Sequence, residues 1–169
     1  RKEKIAISSG MRPEQVISAP DVDSIYDVPL NFEKEDLSGT LCKVLKLSPK
    51  PGDLKAWKQF VNRSKSTTGT VKIAVVGKYF SSGEFVLSDV YISVLEAIKY
   101  SSYKLGLKAE ITYRSSLDFE DGKRLSELDE YDGILVPGGF GKTGIEGKLR
   151  VIEYSRTHKI PYLGLCYGI

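Results

Sequence analysis

The sequence predicts an α/β protein with a doubly wound, mostly parallel sheet. Short β-branched or apolar runs recur along its second half and alternate with segments of helical periodicity, which is typical of parallel sheets covered by helices. The strand candidates are residues 71–77, 109–113, 131–137 and 162–165. Ligands of such sheets bind beyond the carboxyl ends of the strands, where Gly138, Gly139 and Cys166 fall.

Residues 1–30 are polar, contain prolines and offer one short strand candidate over 4–7. So few regular elements predict the tail of a larger domain rather than a domain of its own. Residues 31–70 predict a helical linker. One helix over 37–47 ends at the prolines that follow it, and a second begins after Asp53, a suitable N-cap.

Residues 71–169 then form the α/β part. After its first strand, the apolar spacing over 88–105 predicts a helix. The polar segment 117–128 is compatible with a short helix, and 145–158 predicts another helix before the last strand.

Composition excludes several classes of protein. The chain has 169 residues, 41% hydrophobic and 28% charged, with a net charge of +3 and mixed signs, which argues against a nucleic-acid partner. No apolar stretch approaches the roughly 20 residues of a membrane helix. The two cysteines, Cys42 and Cys166, are far apart and predict no disulfide framework, which suits a reducing cytoplasm. No metal-ligand pattern is present.

The segment Gly164-Leu165-Cys166-Tyr167-Gly168 carries the strongest chemical signal. Gly-x-Cys-x-Gly after an apolar strand is the sulfur counterpart of the Gly-x-Ser-x-Gly nucleophile elbow, a tight turn that presents its nucleophile. The alternative is a buried structural cysteine, the common fate of an unpaired thiol. The flanking glycines favour the nucleophile.

The glycine-rich segment 137–144 supports several interpretations. Gly139–Gly144 fit the G-x-G-x-x-G dinucleotide fingerprint, but no acidic residue ends the next strand. A phosphate-binding loop would need a glycine where Val136 stands. A plain turn and an oxyanion hole for a thioester-forming cysteine remain. The single histidine, His158, precedes the last strand and is therefore expected on the surface, far from Cys166.

Taken together, these motifs resemble the class I (triad) glutamine amidotransferases. Within that class the chain resembles the CTP synthase family, through Val76–Tyr79, Tyr91–Ala97 and Gly144–Lys148, while Ile17–Tyr26 resembles the end of that family's synthetase domain. The resemblance implies a flavodoxin-like amidotransferase domain, here incomplete, over 71–169. It also implies a linker over 31–70 and a synthetase tail over 1–30.

The resemblance implies that glutamine hydrolysis supplies ammonia for the ATP-dependent amination of UTP to CTP. Cys166 would be the nucleophile. The N–H groups of Gly139 and Tyr167 would form the oxyanion hole, and Gly138 would shape that hole. The glutamine pocket would include Phe140, Gly168 and Ile169. The nucleotide-binding residues would be Lys4, Pro20, Asp21 and Val22. ATP with Mg²⁺, GTP as an allosteric activator and assembly into a homotetramer complete the implied scheme.

Departures from the family pattern also shape the expectations. The family commonly has leucine after the cysteine and Met-Gln after the second glycine, where this chain has Tyr167 and Ile169. The triad histidine and glutamate and most of the synthetase domain are expected outside these residues. This chain alone is therefore expected to be inactive and to bind no cofactor tightly. A non-catalytic interaction or regulatory module with the same fold, and a dehydrogenase domain, are the alternatives.

Overall fold

A computed structural model describes residues 1–49, 52–78, 81–82, 85–86, 88–139 and 141–169. The chain divides into two compact units, Arg1–Lys65 and Ser66–Ile169. Among the helices in these ranges, none has the length and apolar character needed to cross a membrane.

The first unit is helical where it is described. Its helices are α1 (Lys2–Ser9), α2 (Val28–Lys34), α3 (Leu37–Leu45) and α4 (Lys55–Lys65), with 3-10 turns at Pro13–Gln15 and Ile25–Asp27. The strand predicted over 4–7 is wrong, because these residues lie inside α1. Short apolar runs do not separate strand from helix by periodicity, and the lysines and glutamate beside this one favour helix. Gly10 ends α1 in the left-handed region, with φ of 65°.

An aromatic cluster packs helix α4 inside this unit. The ring centroids of Tyr26 and Phe60 lie 4.9 Å apart at an edge-on angle, and the Trp57 Nε1–H donates to the Tyr26 carbonyl over 2.9 Å. The predicted start of α4 is confirmed, since the Asp53 side chain accepts a hydrogen bond from the Lys55 N–H over 2.8 Å. The predicted helix over 37–47 is confirmed as α3, which ends at Leu45.

The second unit is built on a parallel sheet. Its strands are β1 (Gly69–Gly77), β2 (Ser81–Ser82), β3 (Phe85–Val86), β4 (Leu107–Ser115), β5 (Gly133–Val136) and β6 (Tyr162–Gly164). The strand order is β4-β1-β5-β6 with every neighbouring pair parallel, which confirms the predicted sheet. Strands β2 and β3 form a short antiparallel pair that the sequence did not predict.

Helices cover both faces of this sheet, as a doubly wound fold requires. The helices are α5 (Ile92–Lys104) and α6 (Ile145–His158), and the unit also has 3-10 turns at Ser88–Tyr91, Ser116–Phe119, Leu125–Glu130 and Cys166–Gly168. Ile134 and Val136 of β5 belong to one core cluster, together with Val151 of α6. Leu135 of β5 belongs to the other, together with Leu95 of α5. Alternate residues of β5 therefore face opposite helices, and its carboxyl end is fixed from both sides.

One ion-pair network on this unit gives a pH-dependent prediction. Arg124 and Arg114 both donate to the Glu127 carboxylate, and these contacts lower its pKa from the ordinary 4.5 to about 2. The folded chain therefore binds fewer protons there than the unfolded chain, so the stabilisation is complete above about pH 4.5 and is lost as the pH falls toward 2. We expect Glu127→Gln to lower the melting temperature at pH 7, with the gap from the parent narrowing as the medium is acidified.

The control for this change is Glu130→Gln, an exposed position three residues further along the same 3-10 turn. Melting curves recorded from pH 7 downward should show the narrowing gap for Glu127→Gln alone. A gap that stays constant down to pH 3 would contradict the assignment.

Candidate functional site

Cys166 stands one residue beyond the end of the last strand, in the sharp turn predicted for it. Strand β6 ends at Gly164, and Cys166 begins the 3-10 turn Cys166–Gly168 with φ of 54°. A left-handed conformation is costly for a residue with a side chain, and such strain is concentrated at functional sites. The thiol is unpaired and the residue is exposed. The turn therefore presents Cys166 at the carboxyl edge of the sheet.

Backbone contacts show why glycine flanks this cysteine on both sides. A Cβ at Gly164 would lie 2.1 Å from the Gly168 carbonyl oxygen, and one at Gly168 would lie 2.0 Å from the Val136 carbonyl oxygen. Neither carbonyl belongs to a flexible side chain, so any side chain would force the turn open. The two glycines let the turn fold onto itself and onto the end of β5.

Hydrogen bonds to the neighbouring strands also hold this turn in place. The Leu165 N–H donates to the Val136 carbonyl over 3.0 Å, and the Tyr162 hydroxyl donates to the Gly168 carbonyl. Burial raises the pKa of the Tyr162 hydroxyl to about 12, so this donor keeps its proton through the physiological range. The nucleophile therefore sits on a rigid support.

The loop after β5 lies against the thiol. A Cβ at Gly138 would lie 3.2 Å from the Cys166 Cβ and 3.6 Å from its Sγ. The structure thus brings Gly138 and Cys166 together, and the half-buried Gly139 follows in the same loop. Phe140 lies outside the described residues. Tyr167 is 54% exposed and Ile169 90% exposed, which places both at the open side of the turn.

Two further residues at this loop were not indicated as site residues by the sequence motifs. The Lys148 Nζ donates to the Pro137 carbonyl over 2.7 Å, although the residue is only 2% exposed. The Tyr91 hydroxyl donates to the Gly138 carbonyl over 3.1 Å. Lys148 lies three positions before Val151, on the same side of α6, and this spacing could have indicated a buried lysine. A buried lysine in turn indicates a polar partner, because lysine is rarely buried without one. Tyr91 offered no comparable signal.

Two lysines contact the loop and the turn. The Lys78 Nζ lies 5.7 Å from the centre of the Tyr167 ring and donates to the Gly141 carbonyl. Burial lowers the pKa of the Lys148 ammonium and the Lys78 charge lowers it further, while the Cys166 side chain opposes the shift. Lys78 and Lys148 thus give this edge of the sheet a positive local charge, which favours bound anionic groups.

The structure places His158 away from this turn. His158 ends α6, is exposed and stacks on Tyr154 with ring centroids 3.8 Å apart. The whole of β6 separates it from Cys166, which confirms its expected surface position. Cys42 is half-buried in α3.

The predicted nucleotide-binding residues belong to the first unit. Lys4 is exposed on α1, Pro20 and Asp21 are exposed, and Val22 is half-buried. Their roles stay predictions.

Family models match both parts of the chain in the order that the motifs predict. Residues 86–169 match the model "Glutamine amidotransferase class-I" and residues 1–47 match "CTP synthase N-terminus". CTP synthase of Halalkalibacterium halodurans is 42% identical over 168 residues, covering 99% of this chain and 31% of the relative. CTP synthase of Thermococcus kodakarensis is 44% identical over 168 residues, covering 99% of this chain and 30% of the relative.

A solved structure agrees with these sequence matches. The glutaminase domain of Trypanosoma brucei CTPS, with bound acivicin, superposes with a TM-score of 0.52 and 36% identity over 58% of this chain and 37% of that chain. The chain spans about 31% of the length of the first relative. Two family models in family order and relatives that match nearly every residue lead to one conclusion: the chain belongs to the CTP synthase family.

Proposed function

We propose that the protein containing this chain converts UTP to CTP with ATP, using ammonia released from glutamine at Cys166. The observation that carries the proposal is the strained, exposed thiol at the carboxyl edge of the sheet, in contact distance of the glycine loop after β5. Membership of the CTP synthase family supplies the substrates.

Cys166 would act as the nucleophile on the side-chain amide of glutamine. Its sulfur bonds to the amide carbon, ammonia leaves after taking up a proton, and water then hydrolyses the glutamyl thioester to glutamate. The positive φ and the two close glycine contacts hold the thiol out of the turn, which gives an incoming amide carbon access to the sulfur.

The backbone around the thiol suits an oxyanion hole. We propose the N–H groups of Gly139 and Tyr167 as donors to the oxygen that becomes negative when the thiol attacks. Gly138 lies against Cys166 without a side chain, so the acyl group can approach the loop closely. Gly168, Ile169 and Phe140 would line the glutamine pocket. Replacement of the usual leucine by Tyr167 leaves this backbone donor in place.

Activation of the thiol would require a base from elsewhere in the parent protein. The single histidine of this chain, His158, lies at the opposite end of β6 from Cys166. We therefore expect this chain alone to hydrolyse no glutamine at a useful rate, because loss of the base from a nucleophile–base pair removes most of the turnover.

The first unit would contribute to the synthetase side. We propose that residues 1–30 of the chain are the synthetase tail and that residues 31–70 are a linker. By resemblance to the family, Lys4 would bind the UTP or CTP nucleotide, and Pro20, Asp21 and Val22 would lie near the adenine of ATP. ATP and Mg²⁺ as cosubstrate and metal, GTP as activator, a homotetramer and a cytoplasmic location are proposed from family membership. The unpaired Cys166 suits a reducing compartment.

Covalent labelling of the intact protein tests the proposal. Acivicin, a glutamine-shaped electrophile, loses chloride when a thiolate attacks it, and a carbon–sulfur bond forms. We expect a single adduct on Cys166 and parallel loss of glutamine-dependent CTP formation, with ammonia-dependent formation retained. Excess glutamine should protect the thiol.

Peptide mass spectrometry reads the site, and Cys42 serves as the reference thiol in the same chain. An adduct on Cys42 but not on Cys166, or labelling that glutamine does not slow, would favour the non-catalytic module instead.

A further inference from the structure

Three consecutive carbonyl groups at the end of β5 are each bound by a different part of the fold. The Val136 oxygen accepts from the Leu165 N–H over 3.0 Å, the Pro137 oxygen from the Lys148 Nζ over 2.7 Å, and the Gly138 oxygen from the Tyr91 hydroxyl over 3.1 Å. The residue after β6, helix α6 and a 3-10 turn thus hold the segment in which Gly138 lies against Cys166.

A carbonyl bond also sets the direction of the N–H in the same peptide unit. In a planar trans peptide the C=O and N–H point in opposite directions, and the described peptides of this loop are trans. Holding the Pro137 oxygen therefore orients the Gly138 N–H, and holding the Gly138 oxygen orients the Gly139 N–H. The second of these is the donor proposed for the oxyanion hole.

The two glycines do not themselves restrain the orientation of these peptide planes. Gly138 and Gly139 are adjacent glycines, which have the widest backbone freedom of any residue pair. Without outside contacts the peptide between them can rotate and turn the Gly139 N–H away from the thiol. The restraint must come from side chains.

The two side chains that supply it are buried. Tyr91 is 7% exposed and packs with Leu95 and Leu135, and Lys148 is 2% exposed beneath the loop. Burial removes water from the charged Lys148 ammonium, which disfavours the charged form and lowers its pKa. Its hydrogen bond to a loop carbonyl offsets part of this desolvation penalty and ties the loop to α6.

We propose that Tyr91 and Lys148 are positioning residues that hold the Pro137–Gly138–Gly139 peptides so that the Gly139 N–H faces the acyl oxygen above Cys166. This inference rests on the proposed function, since it assigns a geometry to that same oxyanion hole. Neither side chain needs to touch the substrate.

Tyr91→Phe in the full-length enzyme is the sharpest test, because it removes the hydroxyl and keeps the ring. We expect kcat for glutamine hydrolysis to fall by roughly 10- to 100-fold, since full loss of one oxyanion donor lowers kcat by about 10²- to 10³-fold. The KM for glutamine should stay within about twofold, because the lost interaction forms in the transition state. Lys148→Met should show the same pattern.

Iodoacetamide separates positioning from nucleophile activation. Its alkylation of Cys166 forms a carbon–sulfur bond and releases iodide, with no oxyanion to stabilise. We expect Tyr91→Phe to alkylate at the parent rate and to retain ammonia-dependent CTP synthesis, which also shows that it is folded. Tyr100→Phe, on the exposed side of α5, is the matched control and should behave as the parent.

Two results for Tyr91→Phe would overturn the inference: glutamine turnover at the parent rate, or a slowing of alkylation that parallels the loss of turnover. The proposed function fails separately, if Cys166→Ala keeps glutamine-dependent synthesis. If Lys148→Met does not fold, Tyr91→Phe still decides the question.

Discussion

Cys166→Ala in the full-length enzyme is expected to abolish CTP formation from glutamine and to leave CTP formation from free ammonia unchanged. Alanine keeps the Cβ and removes the sulfur, so the glutamyl thioester cannot form. Loss of the nucleophile from a catalytic set lowers kcat by roughly 10⁴-fold or more, because the remaining groups cannot replace covalent catalysis. Steady-state rates with glutamine and with an ammonium salt measure the two routes.

The structure predicts that this substitution leaves the fold intact. Cys166 is exposed and its sulfur fills no core position, whereas the contacts that hold the turn are made by Gly164, Gly168 and Tyr162. Cys42→Ala, at a half-buried position in α3, is the matched control and should retain both routes. Loss of both routes in Cys166→Ala would contradict an ammonia-supplying role for this thiol.

Most of the α/β unit could be predicted from the sequence because its pattern is local. The run over 71–77 and the periodicity over 145–158 have one structural solution each, and they correspond to β1 and α6. The run over 4–7 has two solutions, since four apolar-rich residues fit a strand or part of a helix. The structure forms α1 there, with Ala6 as its buried residue.

The nucleophile and its glycines could be predicted from the sequence, but the contacts that hold them in place could not. Cys166 and its glycines are adjacent in sequence, so their turn is visible in the motif. The atom that makes glycine necessary at position 168 is distant in sequence, because it is the Val136 carbonyl oxygen at the end of β5. Tyr91 and Lys148 likewise reach the loop over 47 and 11 positions of sequence. Contacts of that kind follow from the register of the sheet and not from a motif.

Gly168→Ala is expected to remove most glutamine-dependent activity although it changes no reacting group. The added Cβ would lie 2.0 Å from the Val136 oxygen and 2.9 Å from its carbonyl carbon. Backbone must then move apart by about 1 Å, and displacements of that size can lower catalytic rates by roughly 10²-fold. The end of β5 and the Cys166 turn would separate, which carries Gly138 and Gly139 away from the thiol.

The effect should appear in kcat with glutamine and be absent with ammonia, since only the geometry of the glutamine site changes. Gly69→Ala is the matched control, because its Cβ would meet the end of the flexible Leu107 side chain at 3.2 Å. That variant should keep both activities. If Gly168→Ala turned over glutamine at the parent rate, the close packing of the turn against β5 would not be what positions the nucleophile. Selective loss would show that the spacing between Val136 and Gly168 sets the distance between the thiol and its oxyanion donors.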